Sequence, residues 1–189
     1  MEPANINIAN IKIETERLIL RTLRELDAPE LFPLINDADV ARYMLRVPHP
    51  YPENALPEWL KKAEESMERK EQFEFAIILK ETGKPIGVCS LDEISWEYEK
   101  AELGYWLGKP YWRRGIMTEA AKAVVSFGFD TLKLERIYAC CFEQNQTSAK
   151  VIQKAGLRYE GCSRHDIKRN GVFINILCFG MIRADYSSE

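Results

Sequence analysis

Residues 101–128 read AELGYWLGKPYWRRGIMTEAAKAVVSFG and contain, in succession, the patterns of a strand, a basic turn and a helix. Residues 101–107 alternate between two faces, with Glu102 on one face and Tyr105 on the other. From Met117 to about Leu132, apolar residues recur at helical spacing. The three patterns predict a strand that runs through a short glycine-containing turn directly into a helix.

The turn that enters this helix has the properties of an anion site. Its backbone N–H groups have no intrahelical partner, and the helix dipole favours a bound phosphate or pyrophosphate. Gly115 allows the backbone to approach an anion closely, while Arg113 and Arg114 add positive charge. An ordinary solvated helix N-terminus with surface arginines has the same pattern. Neither G-x-x-x-x-G-K-[ST] nor G-x-G-x-x-G occurs in the chain, which argues against a P-loop and a dinucleotide fingerprint.

The remaining sequence predicts one mixed α/β domain over residues 1–189, with no linker and no internal repeat. Residues 1–10 are weakly patterned, and we expect a loose N-terminus there. Strand patterns occupy 11–23 (one or two strands), 73–79, 86–91, 101–107, 137–142, 157–162 and 173–182. Further helices are predicted over 30–35, from about 57 to 70, and from 146 to the glycine at 156.

Composition excludes several classes of protein. The 189 residues carry a net charge of -3, with 46% hydrophobic and 29% charged residues, as in soluble globular chains. The acidic total argues against a nucleic-acid partner, and no signal peptide or long apolar run indicates secretion or a membrane, so we expect a cytoplasmic protein. The five cysteines form no C-x-x-C pair, and the two histidines, His49 and His165, lack metal-ligand spacing. We therefore expect no metal.

Four segments, taken in order, resemble the GNAT superfamily of N-acetyltransferases, in particular its RimJ/RimL-like branch. They are ERLILRTL (16–23), AELGYWL (101–107), WRRGIMTEA (112–120) and NQTSAKVIQKAGLRYEG (145–161). The resemblance implies an α/β fold with a mixed, mostly antiparallel sheet of six to seven strands. That sheet is splayed between its fourth and fifth strands, with helices on both faces. It also implies acetyl-CoA as cosubstrate in the splay, and it is compatible with a homodimer.

The resemblance also implies which residues hold acetyl-CoA. The strand backbone at Leu107 would pair with the pantetheine arm as an added strand would. Asn145 and Ser148 match residues that meet the coenzyme after the fifth strand. The pyrophosphate would lie on the loop formed by Arg113, Arg114, Gly115, Ile116, Met117 and Thr118.

Two residues are candidates for proton transfer. Glu102 matches a glutamate that serves as water-mediated base in some members of the superfamily; the alternative is a strand glutamate bonded to backbone at the splay. Many members carry a general-acid tyrosine on the last helix, but that position is Ile152 here. Ser148 is then the candidate donor to the leaving sulfur, the alternative being a helix cap or a phosphate contact.

The acceptor side has weaker signals. Tyr51 and Trp59, in and after the proline-rich stretch 47–52, lie where the family places a substrate-covering loop and helix, and His165 could line the same pocket. The alternatives are a rigid connector whose aromatic residues fill the core, and a solvated turn at His165. Residues 1–106 carry 13 basic against 21 acidic residues, which suits a cationic acceptor or merely a solvated surface.

We therefore expect an acetyl-CoA-dependent N-acetyltransferase that acts by direct attack in a ternary complex. The acceptor would be a primary amine, either a protein N-terminus, as in ribosomal-protein acetylation, or a small amine. The alternatives are a non-catalytic acyl-CoA-binding or regulatory module and, less favoured by the charge, a nucleic-acid-binding domain that uses Arg113 and Arg114.

Overall fold

A computed structural model describes residues 11–45 and 47–186. Eight strands form one sheet in the spatial order β1-β2-β3-β4-β5-β6-β8-β7. The strands are β1 (Lys12–Glu14), β2 (Leu18–Thr22), β3 (Phe73–Leu79), β4 (Lys84–Ser95), β5 (Lys100–Leu107), β6 (Arg136–Phe142), β7 (Arg158–Arg169) and β8 (Val172–Ile182). The segment 11–23 forms two strands, so the described residues form a sheet of eight strands rather than the expected six or seven. The loose start expected at residues 1–10 lies outside the described residues.

Helices cover both faces of the sheet, as the resemblance implied. They are α1 (Ala28–Ile35), α2 (Ala38–Ala41), α3 (Ala55–Glu68), α4 (Ile116–Ser126), which a π-helical turn at Phe127–Thr131 continues, and α5 (Gln146–Lys154). One apolar cluster joins α4 and α5 to their face of the sheet, and a second cluster joins α1 and α3 to the opposite face. Burial of these two clusters is the main stabilising contribution to a fold of this layered type.

The sheet opens between β5 and β6, the only parallel neighbours among the described strands. These strands share three residue pairs, which join Lys100–Glu102 to Arg136–Tyr138. Beyond Glu102 the two strands diverge, and the edge of β5 that faces β6 pairs with no further strand residue in the described part of the chain. The expected splay is therefore present between the two predicted segments, although they are the fifth and sixth strands in chain order.

Strand β3 shows how side chains are distributed between the two faces. Phe73 and Phe75 pack edge-on against Phe127 below α4, with ring centroids 5.4 and 5.3 Å apart. Because successive side chains of a strand point to opposite faces, Glu74 and Ala76 belong to the face that α1 and α3 cover. A glutamate is consequently buried on the face that carries this second apolar cluster.

Candidate active site

The turn between β5 and α4 presents the first amides of α4 to solvent. The chain has positive φ at Arg113 (60°) and Gly115 (74°) immediately before α4 begins, and no side chain of residues 11–45 or 47–186 caps the helix. The side chains of Arg113 and Arg114 are exposed, whereas Ile116 and Met117 are buried in the core. Successive N–H groups in such a conformation form a concavity that binds anions. Of the predicted contact residues, the arginines thus offer charge, and Ile116 and Met117 offer backbone amides.

A residue ahead of β2 braces this turn. The Arg17 guanidinium donates from Nη1 to the carbonyl of Arg114 at 2.8 Å and from Nε to Glu119 Oε2 at 2.7 Å. Glu119 also accepts from the Thr15 hydroxyl at 2.6 Å and from the Arg17 backbone at 2.9 Å. Burial alone would raise the pKa of Glu119, but these hydrogen bonds outweigh burial and lower it. The carboxylate of α4 therefore stays charged and ties the turn to the N-terminal strands.

The end of β5 lies beside the same turn. The Trp112 indole donates to the Leu107 carbonyl at 2.7 Å, and the Gly108 amide donates to the Ile86 carbonyl at 2.9 Å. The carbonyl of Leu107 is thus already engaged. On the β6 side, the open edge of β5 between Leu103 and Leu107 leaves backbone groups for an extended ligand to pair with.

The N-terminus of α5 brings a serine and a tyrosine together. Asn145 caps the helix, since its Oδ1 accepts from the Ser148 amide at 3.1 Å. The Ser148 hydroxyl is therefore not the cap, and its Oγ lies 2.8 Å from the phenol oxygen of Tyr105 on β5. Burial raises the pKa of Tyr105, and the bond to Ser148 only partly opposes this. The phenol is consequently protonated at neutral pH.

Two other groups flank Ser148. Burial raises the pKa of Cys141 to about 11, with a bond to Ser148 acting in the opposite direction, so this thiol is neutral. Ile152 is buried in the core and has no proton to give. The phenol of Tyr105 and the thiol of Cys141, both close to Ser148, are thus neutral.

Glu102 occupies the apex of the splay on the opposite face of β5 from Tyr105. It is half-buried, and its pairing with Tyr138 is the last before β5 and β6 diverge. Several effects raise the pKa of Tyr138. The largest is burial of its phenol, the next is its hydrogen bond to Glu93, and the third is the negative charge of Glu102. Glu102 and Ser148 therefore flank the opening from two sides of the sheet, the arrangement that a proton acceptor and a proton donor need if the reacting atoms lie between them.

Two further carboxyl groups, Asp92 on β4 and Glu74 on β3, continue from Glu102 across the sheet; we refer to the three as the acidic strip. Asp92 is paired directly with Glu102, and Ser90 with both Glu74 and Gly104. The Ser90 hydroxyl donates to Asp92 Oδ2 at 2.8 Å. Among the described residues no three such groups converge closely enough to hold a metal ion.

Glu74 is the buried end of the strip. It is 7% exposed, and its Oε1 accepts from the Gln72 amide at 2.7 Å. Within the described ranges, Oε2 has no hydrogen-bond partner. Burial, followed by the negative charge of Asp92, raises the pKa of Glu74 to about 8. Such a carboxyl is mostly neutral at pH 7, and its Oε2 is left without a hydrogen-bond partner among the described residues.

The residues predicted for the acceptor side lie in different environments. Tyr51 is buried, its amide donates to Asn36 Oδ1 at 2.7 Å, and together with the half-buried Trp59 it belongs to the cluster beneath α1 and α3. His165 is exposed on the β7–β8 hairpin and stacks on Phe173, with ring centroids 5.2 Å apart. The packing of Tyr51 and Trp59 agrees with the interpretation that they fill the core.

Sequence reasoning missed three residues of this region. Arg17 is 102 positions from its partner Glu119, and no local pattern links them. Tyr105 meets Ser148 only because β5 and α5 converge on one face. Glu74 had a detectable signal, since it is a lone charge inside the apolar run FEFAIIL (73–79).

Comparisons with known proteins agree with this architecture. A family model described as an acetyltransferase (GNAT) domain matches residues 17–158. The uncharacterized N-acetyltransferase p20 of Bacillus licheniformis is 32% identical over 92% of this chain and 97% of its own length. The spermidine N(1)-acetyltransferase of Escherichia coli is 25% identical over 90% of this chain and 88% of its own length.

A solved structure of the ribosomal-protein alpha-N-acetyltransferase RimL in complex with coenzyme A has the same fold. It superposes with a TM-score of 0.83 over 91% of this chain and 98% of that one, at 21% identity. In the part of the chain that the structure describes, no helix is long and apolar enough to span a membrane.

Proposed function

The chain belongs to the GNAT acetyltransferase family, and on that premise we propose that it transfers an acetyl group from acetyl-CoA to a primary amine. The observation that carries the proposal is the splay between β5 and β6, with Glu102 on one side and the Tyr105–Ser148 pair on the other. Acetyl-CoA and amine would enter from opposite sides and meet in a ternary complex, in which proximity alone accounts for much of the rate.

Several features of the turn and of β5 support acetyl-CoA as the donor. The exposed Arg113 and Arg114, with the uncapped amides of α4, would bind the pyrophosphate. The open edge of β5 would pair with the pantetheine amides, and one of its N–H groups would polarise the thioester carbonyl. Asn145 would contact the same arm while it caps α5.

Glu102 and Ser148 would each carry out one proton transfer of the reaction. An alkylammonium must lose a proton before its nitrogen can attack, and Glu102 would accept that proton directly or through water. The C–N bond then forms, the C–S bond breaks, and the second amine proton is lost to solvent. Ser148 would protonate the departing sulfur and recover a proton from Tyr105, whose phenol is protonated at neutral pH. Solvent then returns a proton to Tyr105 and takes up the proton that Glu102 accepted.

The acceptor would be a protein N-terminus or a small amine, the two classes that the names of RimL and the spermidine acetyltransferase represent. The alternative function is an acyl-CoA-binding module without turnover, which the absence of a helix tyrosine at Ile152 favours. Release of coenzyme A thiol from acetyl-CoA, measured with a panel of small amines and N-terminal peptides, separates these functions. Release with any acceptor supports the enzyme. Calorimetric binding of acetyl-CoA with no release for every acceptor would support the module.

A further inference from the structure

We propose that the acidic strip binds a second ammonium group of the acceptor, so that the substrates of this site are small diamines or polyamines. This inference rests on the function proposed above. The reacting nitrogen would lie beside Glu102 at the splay, and a second, distal ammonium would lie against Glu74, with Asp92 between them.

Strand register places the three carboxyl groups on one face and along one diagonal. Glu74 pairs with Ser90 on β4, and Asp92, two residues further along β4, pairs with Glu102 on β5. The Cα atoms of Glu74 and Glu102 lie about 12 Å apart, because two strand spacings across the sheet and two residues along it separate them. The flexible side chains shorten this span further, to a length that a polyamine chain can bridge and a simple monoamine cannot.

Glu74 supplies the observation that points to a ligand. It is buried, lies on the same face of the sheet as Asp92, and has an oxygen without a hydrogen-bond partner in the described part of the chain. A buried acceptor of this kind costs stability unless a donor satisfies it, and an ammonium group offers three donors and the opposite charge. Burial also keeps the Glu74 carboxyl mostly neutral in the free protein, so a cation would favour its ionised form.

Gly104 keeps the path across the sheet open. An added Cβ there would overlap Asp92 Oδ2 and lie 2.8 Å from Ser90 Oγ, so any side chain would displace the middle of the strip. Absence of a side chain at this position lets the Asp92 carboxyl and the Ser90 hydroxyl lie over β5 at Gly104.

The charges around the strip favour a cationic ligand. Two basic residues lie near the strip on the same face, and both already have partners. The Arg21 guanidinium is held by Asp27 through contacts of 2.8 and 2.7 Å. Lys100, two residues before Glu102 on β5, places its Nζ 5.7 and 5.9 Å from the ring centroids of Tyr98 and Tyr138. Carboxyl groups in such a row concentrate cations by their summed field. A polypeptide N-terminus carries one ammonium group, which would engage Glu102 and leave Glu74 without a donor.

The test compares spermidine with n-butylamine, which has one ammonium group. We expect the wild type to prefer spermidine by at least tenfold in kcat/KM, and Glu74→Gln to lower that preference about tenfold. A merely structural role would lower both rates and leave their ratio unchanged, which would overturn the proposal. Asp92→Asn provides a second variant with the same expectation. Glu81→Gln, which removes an exposed carboxylate from the β3–β4 turn, should keep the wild-type ratio.

Failure of the proposed function is distinguishable from failure of this inference. If no amine releases thiol, calorimetric titration of spermidine into the protein saturated with coenzyme A decides the matter. A dissociation constant that rises about tenfold in Glu74→Gln supports the strip even without turnover. Absence of spermidine binding, or equal affinity of wild type and Glu74→Gln, overturns it.

Discussion

Substitution of Glu74 by glutamine should stabilise the protein in a manner that depends on pH. Burial, followed by the charge of Asp92, raises the pKa of this carboxyl from 4.5 to about 8 in the folded chain. Between these two values the folded state holds a proton that the unfolded state has released, so wild-type stability falls as the pH rises. Within this window, each unit of pH lowers the wild-type free energy of unfolding by ~1.4 kcal/mol.

Between pH 5 and pH 7.5, the proton held by Glu74 lowers the wild-type free energy of unfolding by ~3 kcal/mol. Near pH 5 the neutral carboxyl and the glutamine amide have similar shape, and both accept the bond from Gln72, so the two proteins should have similar stability. At pH 7.5 only the wild type has to bury a group that would otherwise ionise. The variant's advantage in free energy of unfolding should therefore be larger by ~3 kcal/mol at the higher pH.

Guanidinium unfolding at both pH values, without amine or coenzyme, measures this difference. The exposed carboxylate removed by Glu81→Gln provides the matched control, and its effect should be the same at both pH values. If the advantage of Glu74→Gln does not grow between pH 5 and pH 7.5, Glu74 is ionised in the folded protein. Our account of its burial would then be refuted.

Three further substitutions test the proposed chemistry. Arg114→Glu should weaken acetyl-CoA binding tenfold or more in calorimetry, because a charge-assisted bond worth ~2 kcal/mol becomes a repulsion. Lys61→Glu, on the exposed side of α3, is the control. Equal acetyl-CoA affinities of the wild type and Arg114→Glu would contradict the anion site. Glu102→Gln should lower kcat by about 10²-fold with little change in coenzyme affinity, if it acts as the base. A wild-type pH–rate profile in this variant would instead identify solvent as the proton acceptor. Tyr105→Phe keeps the ring but removes the hydroxyl 2.8 Å from Ser148, so kcat should fall about tenfold while acetyl-CoA affinity is retained. An unchanged kcat would exclude Tyr105 from the proton path.

Much of the fold was predictable because its signals are local. Three patterns depend only on residues close together in the sequence. They are the alternation in residues 101–107, the glycine and arginines at 113–115, and the helical spacing that follows. The expected splay and the uncapped helix entrance both appear in the structure. The count of strands was less predictable, because a short edge strand such as Lys12–Glu14 is defined mainly by its pairing with β2.

The sequence by itself determined the strand, the glycine-containing turn and the helix, since periodicity and glycine placement act over a few residues. Only the tertiary structure decided which distant groups meet: Arg17 with Glu119, Tyr105 with Ser148, and Glu74 with Asp92. The physical reason is that strand register and helix docking are set by burial of two apolar layers, which no local window contains. Those layers place Glu102 and Ser148 on opposite faces of one strand, at the point where the sheet opens.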